Sequence, residues 1–124
     1  MQPANILVAD DDAVARDLLA EALKKEGYAV EAFASGEEVI ARGRQGKVDL
    51  VLTDIRMGAV DGLTVLREFK RMSPDTAVVV LTSFGSLEGA IEAIKQGAYD
   101  YLAKPFKKED IKLVVKRSLD HCQL

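Results

Sequence analysis

Five short apolar runs alternate along this chain with five stretches of helical periodicity, and that alternation limits its fold more than any other feature. The runs are Ile6–Ala9, Ala29–Phe33, Asp49–Thr53, Ala77–Leu81 and Tyr99–Ala103. After the first, Val14, Leu18 and Ala22 recur at i,i+4 spacing beside Ala15, Leu19 and Leu23, which predicts a helix with one apolar face. Gly27 follows as the residue expected just past a helix end. Ser35-Gly36-Glu37-Glu38 reads as the capping-box start of a second helix. Leu63, Val65, Leu66 and Phe69 mark a third, which stops before Ser73-Pro74. Leu87, Ala90, Ile91 and Ile94 mark a fourth, ended by Gly97, and Ile111, Val114, Val115 and Leu119 mark a fifth.

Strands that alternate with helices predict an α/β fold: a parallel sheet with helices on both faces. Runs one, three and four are unbroken and suit central strands. Runs two and five carry Glu31 and Asp100 and suit edges. Right-handed crossovers then favour the order 2-1-3-4-5, the flavodoxin-like five-stranded arrangement, with its switch point between strands one and three. The length of 124 residues, with 48% hydrophobic and 30% charged side chains, suits one domain spanning 1–124. A net charge of −3 argues against a nucleic-acid surface. The single Cys122 permits no intrachain disulfide, and both it and His121 are read as incidental. The start lacks the basic and apolar regions of a signal peptide, and no apolar run reaches the roughly 18 residues of a membrane span. A cytoplasmic location without membrane contact is expected.

In such a sheet, ligands bind beyond the carboxyl ends of the strands near the switch point. Asp10-Asp11-Asp12 follow strand one, Asp54 follows strand three, Thr82 and Ser83 follow strand four, and Lys104-Pro105 follow strand five. Each group has a plain structural use. The three aspartates can cap the first helix, Asp54 can start a turn, and Thr82 and Ser83 are common cap types. Lys104 can be a surface lysine. Four strand ends each supplying the right chemical type outweigh those separate uses. Clustered carboxylates raise one another's pKa until a cation neutralises them, and oxygen-only ligands suit Mg²⁺. An ammonium and a hydroxyl opposite the metal would clamp a transferring phosphoryl group. A carboxylate inside that clamp can act as the nucleophile.

The stretches Ile6-Leu7-Val8-Ala9-Asp10-Asp11, Leu50-Val51-Leu52-Thr53-Asp54-Ile55-Arg56-Met57, Val80-Leu81-Thr82-Ser83 and Tyr101-Leu102-Ala103-Lys104-Pro105-Phe106 closely resemble the response-regulator receiver domain of two-component signalling. The stretch from Ser83 to Tyr101 is similar to receivers of the NtrC class, which control sigma-54-dependent transcription activators. By this resemblance Asp54 is the phosphoacceptor. Asp11 is implied as a direct Mg²⁺ ligand, Asp10 as one acting mainly through a metal-bound water, and the Arg56 backbone carbonyl as a third contributor beside Asp54. Thr82 and Lys104 are implied to contact the attached phosphoryl group, with the Lys104–Pro105 bond cis. Tyr101 matches the aromatic switch residue that moves together with Thr82, changing the surface of helix four, strand five and helix five. The implied partners are a sensor histidine kinase and either a second receiver, as a homodimer on activation, or a fused output domain absent from this chain. The domain would be a self-phosphorylating switch rather than a turnover enzyme. Gly58 departs from the pattern, standing where the family usually has proline, and would loosen its loop. Arg56 and Phe84 hold positions that tune dephosphorylation in the family.

Three other readings fit less well. A phosphatase or phosphotransferase resembling the haloacid dehalogenase superfamily shares the Asp-x-Asp after strand one. It also needs an acidic pair at a strand end after the lysine, whereas Glu109-Asp110 opens the last helix, and it leaves Asp54 without a role. A receiver-like interaction module that is never phosphorylated would have no need of the full Asp10, Asp11, Asp54, Thr82 and Lys104 set. Flavin binding lacks a phosphate loop after strand one, where three acids would repel a phosphate.

Overall fold

Successive residues of a strand face opposite sides of the sheet, and in the central strands of this protein both sides are buried. The computed structural model describes residues 3–83 and 87–122. The elements run β1 (Asn5–Ala9), α1 (Ala13–Lys25), β2 (Ala29–Phe33), α2 (Gly36–Gly43), β3 (Leu50–Asp54), α3 (Gly62–Met72), β4 (Ala77–Thr82), α4 (Leu87–Lys95), β5 (Asp100–Ala103) and α5 (Lys108–Cys122). All pairings are parallel, in the order β2-β1-β3-β4-β5. The expected α/β arrangement is therefore the observed one. Four strands differ from expectation at their limits: β1 starts at Asn5, β3 runs one residue later so that Asp54 is its last residue, β4 extends to Thr82, and β5 starts at Asp100.

Odd and even residues of the strands build two separate cores. Ile6, Val8, Leu50, Leu52, Val79 and Leu81 meet Leu19 and Leu23 of α1 and Ile111 and Val115 of α5. Leu7, Val51, Val78 and Val80 on the other face meet Val39 of α2, Leu66 and Phe69 of α3 and Ala93 of α4. At the edge, β2 leaves Ala29, Glu31 and Ala32 exposed, and Glu31 pairs with Arg42 of α2 at 2.7 Å. Among the described residues, no helix is long and apolar enough to cross a membrane.

Helix ends follow local chemistry. Asp12 caps α1 by accepting from the Val14 N–H, and Asp61 caps α3 by accepting from the Thr64 N–H. Ser35 caps α2 by accepting from the Glu38 N–H, while its own hydroxyl donates to the Glu38 carboxylate at 3.0 Å. Gly27 and Gly97 take φ values of +92° and +113° just past α1 and α4, as their sequence positions predicted.

Phe69 is fully buried and packs beneath α2, where Gly43 leaves it room: a Cβ at Gly43 would lie 2.5 Å from Phe69 Cζ. Phe69→Ala is expected to lower unfolding stability by about 3–5 kcal/mol, read as a reduced urea midpoint with an unchanged slope.

Candidate functional site

At the carboxyl end of the sheet, three strands deliver charged groups to one crevice. Asp10 follows β1 directly and is fully buried. Its Oδ1 accepts the Asp12 N–H at 2.9 Å, and the Asp12 carboxylate in turn accepts the Val14 N–H at 3.0 Å. This relay fixes the turn into α1 and assigns Asp12 to the cap rather than to the crevice. Asp11 between them is exposed. Asp54, at the end of β3, accepts the Arg56 N–H on Oδ1 at 3.2 Å and the Lys104 ammonium on Oδ2 at 3.1 Å.

Lys104 ties the two acidic strands together. Its Nζ lies 2.8 Å from Asp10 Oδ2 as well as 3.1 Å from Asp54 Oδ2. The lysine is placed by its own backbone, whose N–H donates to the Thr82 carbonyl at 2.7 Å. The Lys104–Pro105 peptide is cis, as the resemblance implied. Asp10 Oδ2 is in ion-pair contact with the ammonium but makes no aligned hydrogen bond, so a buried carboxylate oxygen keeps an unused lone pair.

Burial pushes the Asp10 carboxyl above its ordinary value of 3.8. The Lys104 ammonium and the Asp12 N–H oppose that shift, and the Asp54 charge adds to it. For Lys104, burial is the largest single influence and pulls downward. Asp10 and Asp54 together outweigh it and hold the ammonium above the ordinary lysine value. The raised Asp10 value has a definite sign for stability. Its contribution is fully present below 3.8 and is lost as pH rises through the higher folded value, because the fold then holds a charge it disfavours. Asp10→Asn is therefore expected to raise the melting temperature in metal-free buffer at neutral pH. The gain should shrink as pH falls below the folded value. A variant less stable than wild type at neutral pH would show that the Lys104 pairing outweighs the burial of charge.

One carboxylate oxygen from each of Asp10, Asp11 and Asp54 lies within 4.8 Å of the others. This oxygen-only donor set, with the unused lone pair on Asp10, fits a hard divalent cation that retains several waters.

Of the residues singled out from sequence, Asp10, Asp11, Asp54 and Lys104 are thus gathered in one place. Thr82 ends β4 at the same edge of the sheet: Leu81 stands opposite Asp54 and Thr82 opposite Ala103, and Thr82 is buried. Arg56 is exposed two residues beyond Asp54. Tyr101 lies outside the crevice. It stands opposite Val80 on β5, is 42% exposed, and borders a surface groove with Leu113 and Arg117 of α5. Phe84 falls outside the described residues. Gly58 adopts φ +40°, a backbone that proline's ring could not take up. The His121 ring sits 4.8 Å from that of Tyr99.

Two site residues were missed in the sequence. Arg16 of α1 donates from Nη1 to the Asp10 carbonyl at 2.9 Å, a contact across six residues that no periodicity announces. Gly62 donates its N–H to the Ile55 carbonyl at 2.7 Å and packs against the backbone of Asp54. The close approach joins the start of α3 to the end of β3, elements whose meeting no local pattern shows.

Comparison with known proteins places this geometry in a family. The model for the response regulator receiver domain matches residues 6–116. The transcriptional regulatory protein ZraR of Salmonella typhimurium is 38% identical over 117 residues, covering 94% of this chain and 26% of that protein. The DNA-binding transcriptional regulator NtrC of the same organism is 37% identical over 123 residues, covering 99% and 26%. The crystal structure of the receiver domain of NtrX from Brucella abortus superposes with a TM-score of 0.89 at 37% identity, covering 93% of this chain and 98% of that one. The chain thus spans about a quarter of the length of these curated relatives.

Proposed function

This chain belongs to the response regulator receiver domain family, with NtrC-class activators among its relatives, and from that premise we propose that it is a phosphorylatable switch in a two-component system, with Asp54 as the acceptor and residues 1–124 as the receiver unit. The observation that carries the reading is the Lys104 ammonium held between Asp54 and Asp10 at 3.1 and 2.8 Å. It places a fixed positive charge beside the one acidic side chain of the cluster that ends a central strand.

Asp54 is 13% exposed, enough for a donor to reach. Its carboxylate oxygen attacks phosphorus of a phosphohistidine on a sensor kinase in line. The new P–O bond forms as the P–N bond breaks, and the electron pair leaves on the imidazole nitrogen. Lys104 stabilises the charge on the equatorial oxygens. Asp10, Asp11, Asp54 and the Arg56 carbonyl would hold Mg²⁺, which when bound neutralises the acidic cluster and the phosphoryl oxygens. Thr82, buried at the end of β4, donates its hydroxyl to the acyl phosphate. Tyr101 then gives up its exposed position, and the surface of α4, β5 and α5 shifts its population toward the active form. Hydrolysis of the acyl phosphate resets the switch, so that the domain catalyses its own gain and loss of phosphoryl without turning over a substrate.

The readout is control of transcription, through a homodimer or a fused output domain as the length of the relatives suggests. With a net charge of −3 the domain itself does not bind nucleic acid, and it works in the cytoplasm. Incubation with acetyl phosphate, followed by intact-mass spectrometry at several times, tests the reading. One phosphoryl adduct is expected, formed in the presence of Mg²⁺ and absent when chelator is added before acetyl phosphate. No adduct at any time, including the shortest, would overturn it.

A further inference from the structure

Arg16 is the observation that the proposed reaction leaves unused. It sits in the first turn of α1, half-buried, and its guanidinium donates to the main-chain carbonyl of Asp10 at 2.9 Å. That carbonyl stands just past the end of β1. The Asp10 N–H makes a last ladder bond to the Phe33 carbonyl at 3.1 Å, and β2 then ends. A buried main-chain carbonyl needs a donor, and Arg16 supplies one from the helix that Asp10 leads into. Asp10 is thereby held at both ends. Its side chain accepts the Asp12 N–H and meets Lys104, while its backbone is latched to α1.

We propose that Arg16 is a positioning residue for the cation site: by latching the Asp10 carbonyl it fixes the direction in which Asp10 and Asp11 present their carboxylates. This rests on the reading of the acidic crevice as a Mg²⁺ site. The Arg16 guanidinium bonds the Asp10 main-chain carbonyl rather than a carboxylate. It acts through the main chain, because Asp10 and Asp11 are consecutive and rotation of their shared peptide would carry both carboxylates away from Asp54. Groups that orient metal-binding carboxylates affect affinity by about tenfold or more.

Isothermal titration of Mg²⁺ alone into wild type, Arg16→Ala, Arg16→Lys and Arg42→Ala, well below their melting temperatures, tests the assignment. Arg42→Ala is the control for losing a similar arginine bond elsewhere, since Arg42 bonds Glu31 and the Gly46 carbonyl. The expected result is a dissociation constant about tenfold weaker for Arg16→Ala, partial recovery in Arg16→Lys, and the wild-type value in Arg42→Ala. Unchanged far-UV circular dichroism should accompany all four. Under acetyl phosphate, Arg16→Ala should recover its phosphorylation rate when Mg²⁺ is raised about tenfold. Wild-type Mg²⁺ affinity in a folded Arg16→Ala would overturn the role of Arg16 while leaving the crevice reading intact. If Arg42→Ala weakened Mg²⁺ equally, the effect would be general loosening and the assignment would fall. Failure of wild type itself to bind Mg²⁺ would sink the crevice reading first.

Discussion

Asp54→Ala is expected to accept no phosphoryl group from acetyl phosphate under conditions where wild type is modified, and to remain folded. The two parts of that result have separate causes. Asp54 is the last residue of β3 and 13% exposed, and among the described residues its side chain bonds the Arg56 N–H and the Lys104 ammonium, both at the crevice. Its removal takes nothing from either core. Lys104 keeps Asp10 as its partner at 2.8 Å, so the fold should be retained. The chemical loss should be complete, because neither remaining acid has the same setting. Asp10 is fully buried, and Asp11 is exposed on the turn into α1. Intact mass reads the adduct and a thermal melt reads the fold. An adduct that persisted on a folded Asp54→Ala would move the acceptor to Asp10 or Asp11 and undo the assignment of nucleophile.

The second large effect is expected at Gly62, where a single methyl group meets main chain rather than side chain. A Cβ there would run into the Asp54 carbonyl oxygen and lie 2.7 Å from Ile55 Cα. Neither neighbour can rotate away, since Ile55 donates its N–H to the Leu81 carbonyl and accepts that of Gly62. Gly62→Ala must therefore displace α3 or the end of β3. Overpacking of this kind costs about 1–3 kcal/mol, and a shift of the acceptor by about an ångström can slow its reaction about a hundredfold. A lowered urea midpoint together with slower phosphorylation at saturating Mg²⁺ is the expected result. A variant with the wild-type midpoint and rate would show that α3 can shift without moving Asp54. Gly27 is a useful contrast. A Cβ there meets nothing, so its requirement is the positive φ of +92° alone.

The fold was open to sequence reading because each of its determinants is local. Unbroken apolar runs such as Leu50-Val51-Leu52 mark strands buried on both faces, and Glu31 and Asp100 mark the strands that are not. Ser35, Gly27 and Gly97 punctuate the helices through their own backbone and side-chain chemistry. Crossover handedness then leaves few strand orders. The types of group at each strand end were equally readable, since topology alone sends Asp10, Asp54, Thr82 and Lys104 to one edge.

What the tertiary structure alone decided is how those groups divide their work. Asp10, Asp11 and Asp12 are identical in chemistry and adjacent in sequence, yet one is buried against Lys104, one lines the crevice exposed, and one caps α1. Burial and partner distance separate them, and neither is a property of the residue type. Arg16 and Gly62 stayed hidden for the same reason. A guanidinium reaching a carbonyl six residues back, and a helix start pressed on a strand end, depend on where two elements meet. Sequence fixes which elements form and which ends they share; only their packing in three dimensions sets the distances on which charge, cation and nucleophile depend.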